Sequence, residues 1–358
     1  MTTKEFLRFF LPPMYYIMRD RILGNTLSAK NIEESTSYEE IEKRYTLTLV
    51  NRYKLSLQNV CELSKDIPLD WIWTLYSESM ESTFYGNFQT LMSYCDLNFI
   101  KTPPQNFAIQ HGYVFELSNW EKNKLEKINL VWSREIKRMY SEHTQNSCIY
   151  PIGAPFFYAE SILNENEIAS EKNRLGKNLL AFPMHSSHFV DTNYDPSHFI
   201  GVLKEQKKSF DTVRVCLYWK DVIRGCDRIF QENGFECVCC GHIFDVNFLR
   251  RQKALFEIAD ATISNGVGSH IGYSLFMNKP HWLVPDSFEY VDLKGTDGEE
   301  LYSIISKKNY LDVYNAFIDN SNYIITNEQL NVVDKFWGIS NKKSPEELKN
   351  LIIKLYSN

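Results

Sequence analysis

The residues able to do chemistry fall into two groups: histidines that follow apolar runs, and small residues that open helices. QHGYVFE puts His111 and Gly112 directly after the apolar run FAI. An imidazole titrates near neutral pH, so at a strand end facing a cleft it can take a proton from a reacting hydroxyl. Gly112 lets backbone or substrate approach closely. A loop histidine that merely caps a neighbour would look the same. FPMHSSHF carries His185, Ser186, Ser187 and His188. Hydroxyls and imidazoles there suit contacts with phosphate or sugar, which makes His185 and His188 further catalytic candidates. In YWKDVIRG, Lys220 and Arg224 lie one helical turn apart. They can neutralise a diphosphate or simply pair with Asp221. The Gly-x-Pro of YPIGAPFF is a weaker signal, a helix start that can also turn backbone N–H groups toward a cleft.

The second group centres on SNGVGSHIGYSLFMNKP, residues 264–280. Its helix is expected to begin near Gly268 and Ser269. A first helical turn has unpaired N–H groups and the positive end of the helix dipole. With Asn265, Gly266 and Gly268 beside it, a pyrophosphate can come close, and Ser269 and His270 add a hydroxyl and a ring nitrogen. Tight packing of small residues on a sheet explains the same composition. VPDSFEY follows, with Asp286 and Glu289 as candidates for sugar or ribose hydroxyls. The cluster CVCCGH fits no standard zinc spacing. Alternation along a strand would send Cys237 and Cys239 to one face and Cys240 to the other. No Asp-x-Asp is present to hold a divalent cation, so metal-independent chemistry without a cofactor is expected.

These motifs need elements to hold them. The chain has 358 residues, of which 44 % are hydrophobic, enough for two domains with real cores. Its net charge of −6 gives no general basic footprint for nucleic acid. Residues 1–63 read as helical. Within them KEFLRFFLPPMYYIMRDRI mixes basic and large apolar residues, which suits either a membrane interface or packing on its own domain. No apolar run is long enough to span a bilayer. No signal peptide opens the chain, so the eight cysteines are expected as reduced thiols of the cytoplasm. Strand and helix alternate over 106–165. A polar stretch, 164–178, is the candidate junction, and alternation then resumes through five strands and four helices. That divides the chain into 1–165, with a helical N-terminal segment, a Rossmann-like unit over 175–330, and a helical tail over 331–358. The fold class is α/β, with two Rossmann-like domains facing a cleft, the GT-B architecture. Ligands in such sheets bind outside the C-terminal strand ends.

The order of the motifs resembles bacterial GT-B enzymes that build surface polysaccharides. These are the capsule and lipopolysaccharide glycosyltransferases and, in motif pattern, the CDP-glycerol glycerophosphotransferases. The resemblance rests on QHGY, Gly-x-Pro, SNGVGS before a helix, Lys-Pro and DSFEY, over roughly residues 105–295. It implies a catalytic role for His111, and donor binding by the 264–280 segment and DSFEY. It also implies a nucleotide-sugar donor, a lipid-linked or oligosaccharide acceptor held by the N-terminal domain, and a cytoplasmic location with peripheral membrane contact. The chain lacks the His-Pro that polyol-phosphate polymerases carry after the second strand of the C-terminal domain, where it reads LYWKD. That favours a sugar donor. A CDP-polyol phosphotransferase, a nucleotide-sugar epimerase and a non-catalytic membrane-associated assembly protein are the competing readings.

Overall fold

The computed structural model describes residues 60–61, 78–100, 103, 107–117, 128–144, 147–186, 190–243, 245–292 and 307–357. The helical expectation for 1–63 and the interfacial segment lie outside these residues, apart from Val60 and Cys61, which are buried.

A 3-10 segment, Glu78–Gly86, leads into α1 (Asn87–Tyr94). Strands β1 (Phe107–Ile109), β2 (Ile128–Val131) and β3 (Cys148–Pro151) form a parallel sheet in that order. Between β2 and β3 runs α2 (Arg134–His143). Ser133 caps it by accepting from the Ile136 N–H at 3.2 Å. Its buried residues, Ile136, Met139 and Tyr140, share one face at helical spacing. After β3 the chain makes only a 3-10 turn, Pro155–Tyr158. Phe156, Phe157 and Tyr158 are all buried. Successive residues of an α-helix point roughly 100° apart, so a helix would turn one of these rings outward.

The polar stretch after this turn is itself a helix, α3 (Glu165–Leu175), and it connects the first sheet to the second. Asn164 and Glu167 cap it reciprocally, and only Leu175 is buried. The second unit runs through β4 (Asn178–Phe182), β5 (Val190–Asn193), α4 (Ser197–Gln206), β6 (Thr212–Leu217), α5 (Trp219–Ile223), α6 (Asp227–Glu232), β7 (Glu236–Cys239), α7 (Phe248–Ile258), β8 (Ala261–Ser264), α8 (Ser269–Phe276), β9 (His281–Leu283) and β10 (Glu289–Asp292). Five of its strands form a parallel sheet in the order β7-β6-β4-β8-β9. Winding starts at β4, moves outward to β7, then reverses to β8 and β9. The reversal puts a topological switch point between β4 and β8, the usual ligand position in a doubly wound sheet.

Both faces of this sheet are covered, which is why its strands read as continuous apolar runs. Along β4, Leu180 and Phe182 enter one core while Leu179 and Ala181 enter the other. Along β7, Cys237 and Cys239 share a core, and Val238 and Cys240 point the opposite way. Residues 219–232 form two short helices, α5 and α6, parted at Gly225, whose φ of +80° suits glycine. Strands β5 and β10, not anticipated from the sequence, pair as an antiparallel ribbon with Glu289 opposite Asn193.

Among the described residues three further helices follow: α9 (Lys308–Ile318), α10 (Asn327–Trp337) and α11 (Pro345–Ser357). They join the two units. The Ala154 N–H donates to the Trp337 carbonyl at 3.0 Å, and the Arg134 N–H donates to Asn341 at 3.2 Å. The indole of Trp337 lies against Gly272 in α8 and donates to the Ser269 carbonyl at 3.0 Å. A Cβ at Gly272 would stand 2.2 Å from Trp337 Cγ. Gly272→Ala is therefore expected to cost about 1–3 kcal/mol, read as a lower urea midpoint at unchanged slope. A midpoint equal to wild type would mean that the indole has room to move. The α/β class and the two Rossmann-like parallel units about a cleft agree with the sequence-based expectation.

Candidate functional site

A cavity of about 300 Å³ lies at the C-terminal ends of the strands, lined from both units. His111, Gly112 and Tyr113 reach it from the loop after β1. Phe182 at the end of β4, and Pro183 and His185 after it, line its other side together with Ser269 and His270 at the start of α8. The segments after β4 and β8 flank the switch point. The two motif groups singled out by residue type thus meet across one space.

The loop after β1 is held by Gln110, which the motif reading passed over. Its Nε2 donates to the Gly112 carbonyl at 2.8 Å, while its Oε1 accepts from the Trp132 N–H at 2.8 Å. These bonds clamp the backbone on both sides of His111. The His111 ring meets Phe84 edge-on, with centroids 5.5 Å apart. Tyr113 spans the cleft, donating to the Val267 carbonyl at 3.1 Å. Tyr85 also crosses between the units, from a left-handed backbone with φ of +58°. It packs on Phe248 at 4.7 Å and bonds Tyr218, and burial pushes its phenol up to about 12.

On the opposite wall, the glycines of the 264–280 segment do a different job from the one expected. A Cβ at Gly266 would meet Met184 Sδ at 2.7 Å, and one at Gly268 would meet the His270 ring at 2.6 Å. The space beside these glycines is filled by the protein itself, so close approach by a ligand is not what demands them. Asn265 is a brace: its Oδ1 accepts from the Met184 N–H at 2.7 Å, and its Nδ2 donates to Asp286 at 2.9 Å. Asp286 is thereby tied to the loop after β8, with His198 Nδ1 4.0 Å away. Ser269 and His270 do line the cavity, at the N-terminus of the eight-residue α8. His270 stacks on Phe182, with centroids 4.7 Å apart. Burial, reinforced by His281 and His185, holds its ring neutral, well below the ordinary range.

His185 is exposed at the cavity rim. Its ring lies on Tyr218 at 4.8 Å, and its Nδ1 is 2.7 Å from the Ser186 carbonyl. Arg224 is turned toward this strand end but away from the cavity lining. It donates to Ser186 Oγ at 2.7 Å and Asn193 at 3.2 Å, with Asp221 at 3.7 Å. Asp221 accepts from the Ser186 N–H at 3.1 Å, and burial raises its carboxyl against the opposing pull of His185 and Arg224. Lys220 is 7 % exposed in α5 and is also absent from the lining. Neither cation is brought to the place where a diphosphate was expected. Among the described residues the cavity has no Asp, Glu, Lys or Arg in its lining. Glu289 opens β10 in the ribbon, and His188 and Ser187 lie outside the described residues.

A buried hydrogen-bond chain supports the loop after β8. Ser264 Oγ donates to the Gly266 carbonyl at 2.8 Å. The His281 ring bridges two hydroxyls, with Nε2 3.0 Å from Ser264 Oγ and Nδ1 2.8 Å from Thr262 Oγ1. Burial lowers the His281 ring to about 3. Folding therefore keeps His270 and His281 neutral, whereas the unfolded chain protonates them near pH 6.5. Unfolding takes up protons below that pH, so stability falls as pH drops through 6.5 and, for His281, keeps falling toward 3. At pH 5 His281 alone accounts for a loss of about 2 kcal/mol. Thermal melts at pH 7 and pH 5 should show the drop, and His281→Asn should flatten it. An equal drop in that variant would assign the acid sensitivity elsewhere.

No group of three or more His, Cys, Asp or Glu placed to hold a metal occurs among the described residues, and no helix there is long and apolar enough to cross a membrane. No family model and no curated protein matches the chain. Solved structures with some likeness include the wall teichoic acid polymerase TagF soaked with CDPG, at 13 % identity and a TM-score of 0.38, over 66 % of this chain and 59 % of that one. Sucrose-phosphate synthase from Thermosynechococcus elongatus has 12 % identity and a TM-score of 0.31, over 66 % and 60 %. The α,α-trehalose 6-phosphate synthase from Burkholderia multivorans has 8 % identity and a TM-score of 0.28, over 89 % and 79 %. The chain thus spans about 59–60 % of the first two proteins. With TM-scores this low, the fold rests on the strand order and the cleft themselves.

Proposed function

We propose that the chain is a GT-B glycosyltransferase that moves a sugar from a nucleotide-activated donor onto a bacterial capsule or lipopolysaccharide glycan, without a metal. The observation that carries this reading is the single cavity that sets His111 of one unit opposite Ser269 and His270, at a helix start of the other, across a switch point. In this reading His111 takes the proton of the acceptor hydroxyl. The first-turn N–H groups of α8 face the departing phosphate, whose charge they stabilise as fixed dipoles. Lys220 and Arg224, both outside the lining, have no part in it. The protein works where nucleotide-activated sugars are made, in the cytoplasm, with the basic and aromatic N-terminal segment as its contact to a membrane-held acceptor.

The test is a thermal-shift panel of CMP, CDP, UDP, GDP and dTDP with their sugar conjugates. A true donor at a hundred times its Kd should stabilise the protein by about 2.7 kcal/mol. The matching base would name the donor class. A protein that no compound stabilises would be a scaffold that keeps the fold. Incubation with the donor alone separates an epimerase, which converts it, from a transferase, which leaves it intact or hydrolyses it slowly.

A further inference from the structure

Three buried polar atoms around the cavity have no hydrogen-bond partner among the described residues: Asn87 Nδ2, Gln252 Oε1 and His270 Nε2. Buried polar groups are nearly always satisfied, and each exception needs a reason. Here three exceptions belong to residues that line one space. They reach it from different elements: Asn87 from the first turn of α1, Gln252 from α7, and His270 from α8. Asn87 is 2 % exposed and His270 9 %.

Their donor and acceptor character defines what would satisfy them. Asn87 Nδ2 donates. Gln252 Oε1 accepts. The neutral His270 ring gives its one N–H to the Gly266 carbonyl, so its free Nε2 accepts. The missing partner must therefore accept once and donate twice. A carboxylate or phosphate oxygen serves Asn87 but opposes the lone pairs of Gln252 and His270. An ammonium does the reverse. Hydroxyls can do both. The rest of the lining agrees: among the described residues it has no Asp, Glu, Lys or Arg to balance a charge, and Phe182, Phe248, Tyr85 and Tyr273 supply apolar or aromatic surface.

We infer that Asn87, Gln252 and His270 form a subsite for an uncharged, hydroxyl-bearing group, such as the neutral sugar of the donor. The inference rests on the glycosyltransferase reading and narrows it: the transferred group is a neutral hexose or polyol, and uronic and sialic acids are excluded.

The test uses the full chain and matched probes: UDP, UDP-glucose and UDP-glucuronic acid, and GDP, GDP-mannose and GDP-mannuronic acid, with CMP-sialic acid added. Calorimetric titration should give the neutral donor of the preferred base a Kd at least tenfold tighter than its carboxylate counterpart. Asn87→Leu and Gln252→Met should each weaken the neutral donor roughly tenfold, with the bare nucleotide diphosphate unaffected. In the same two variants the ligand-free protein should melt at or above the wild-type temperature, because an unsatisfied buried atom has been removed. Groups with a purely structural task would lower the melting temperature and leave the Kd ratio unchanged. Equal or tighter binding of the carboxylate donor, or unchanged neutral-donor binding in both variants, would overturn the subsite while leaving the transferase reading in place. If no nucleotide or donor binds, the transferase reading fails and takes the subsite with it.

Discussion

Arg251→Met is expected to lower stability by about 3–5 kcal/mol at pH 7. Arg251 and Asp245 are both fully buried, with Nη1 and Oδ2 2.7 Å apart. Arg251 also donates to the Cys240 carbonyl at 3.1 Å, and Asp245 Oδ1 accepts from the Asn247 N–H at 2.9 Å. The pair therefore locks the turn between β7 and α7 to the first turns of that helix. Gly241, with φ of +104°, lies beneath it, and a Cβ there would stand 2.9 Å from Asp245 Oδ2. Methionine keeps much of the volume but leaves a carboxylate buried without its counter-ion. That desolvation, more than the lost attraction, sets the size of the effect. Two controls follow from the same physics. The deficit should shrink as pH falls, because a buried carboxyl that has lost its guanidinium is raised and takes up a proton. Arg251→Met combined with Asp245→Leu should recover most of the loss. Urea unfolding at pH 7 and pH 5 measures both. A double variant no better than the single one would mean that the turn needs the hydrogen bonds themselves. Helix α7 also presents Phe248, Leu249 and Gln252 to the cavity, so the single variant should bind donor less well than its residual folded fraction predicts.

What was readable in the sequence follows from how each feature is encoded. Strands β4, β6 and β7 carry apolar residues on both faces, and apolarity is a local property. Their order, and so the meeting of His111 with Ser269 and His270, follows from alternation plus handed crossovers. The ribbon of β5 and β10 was hidden because VDTN is polar and gains strand character only from a partner about a hundred residues on. The 164–178 stretch looked like a linker by composition, yet the Asn164–Glu167 capping pair was there to be read as a helix start. At Gly266 and Gly268 the constraint is one that a sequence does not carry: the space beside them is taken by Met184 and by the His270 ring. Lys220 lies in α5, just past the end of β6, and is turned into the protein. Asn87 and Gln252 have no motif around them at all. Their significance comes from a hydrogen-bond count in three dimensions, so only the folded chain can display it.

His111→Ala should lower the transfer rate by 10²–10⁴-fold, the usual contribution of a positioned general base, once the donor panel has supplied an assay. The argument is geometric. Gln110 fixes the backbone before and after His111, and Phe84 backs its ring at 5.5 Å. The imidazole is thus held at the cavity and half-exposed to it. Donor affinity should change little, because His111 is not among the groups assigned to the donor. The effect therefore falls on kcat, as it does when an interaction made only in the transition state is removed. His185 is the competitor, since it lines the same cavity and lies near the buried Asp221 carboxyl. However, its Nδ1 is engaged with the Ser186 carbonyl and its ring rests on Tyr218. His185→Ala should accordingly raise KM more than it lowers kcat. A large loss of kcat in His185→Ala, with His111→Ala close to wild type, would move the base to the other wall and reverse which unit holds the acceptor. Gln110→Ala provides the finer test. It keeps the imidazole but frees the loop, and it should cost kcat while leaving donor affinity unchanged.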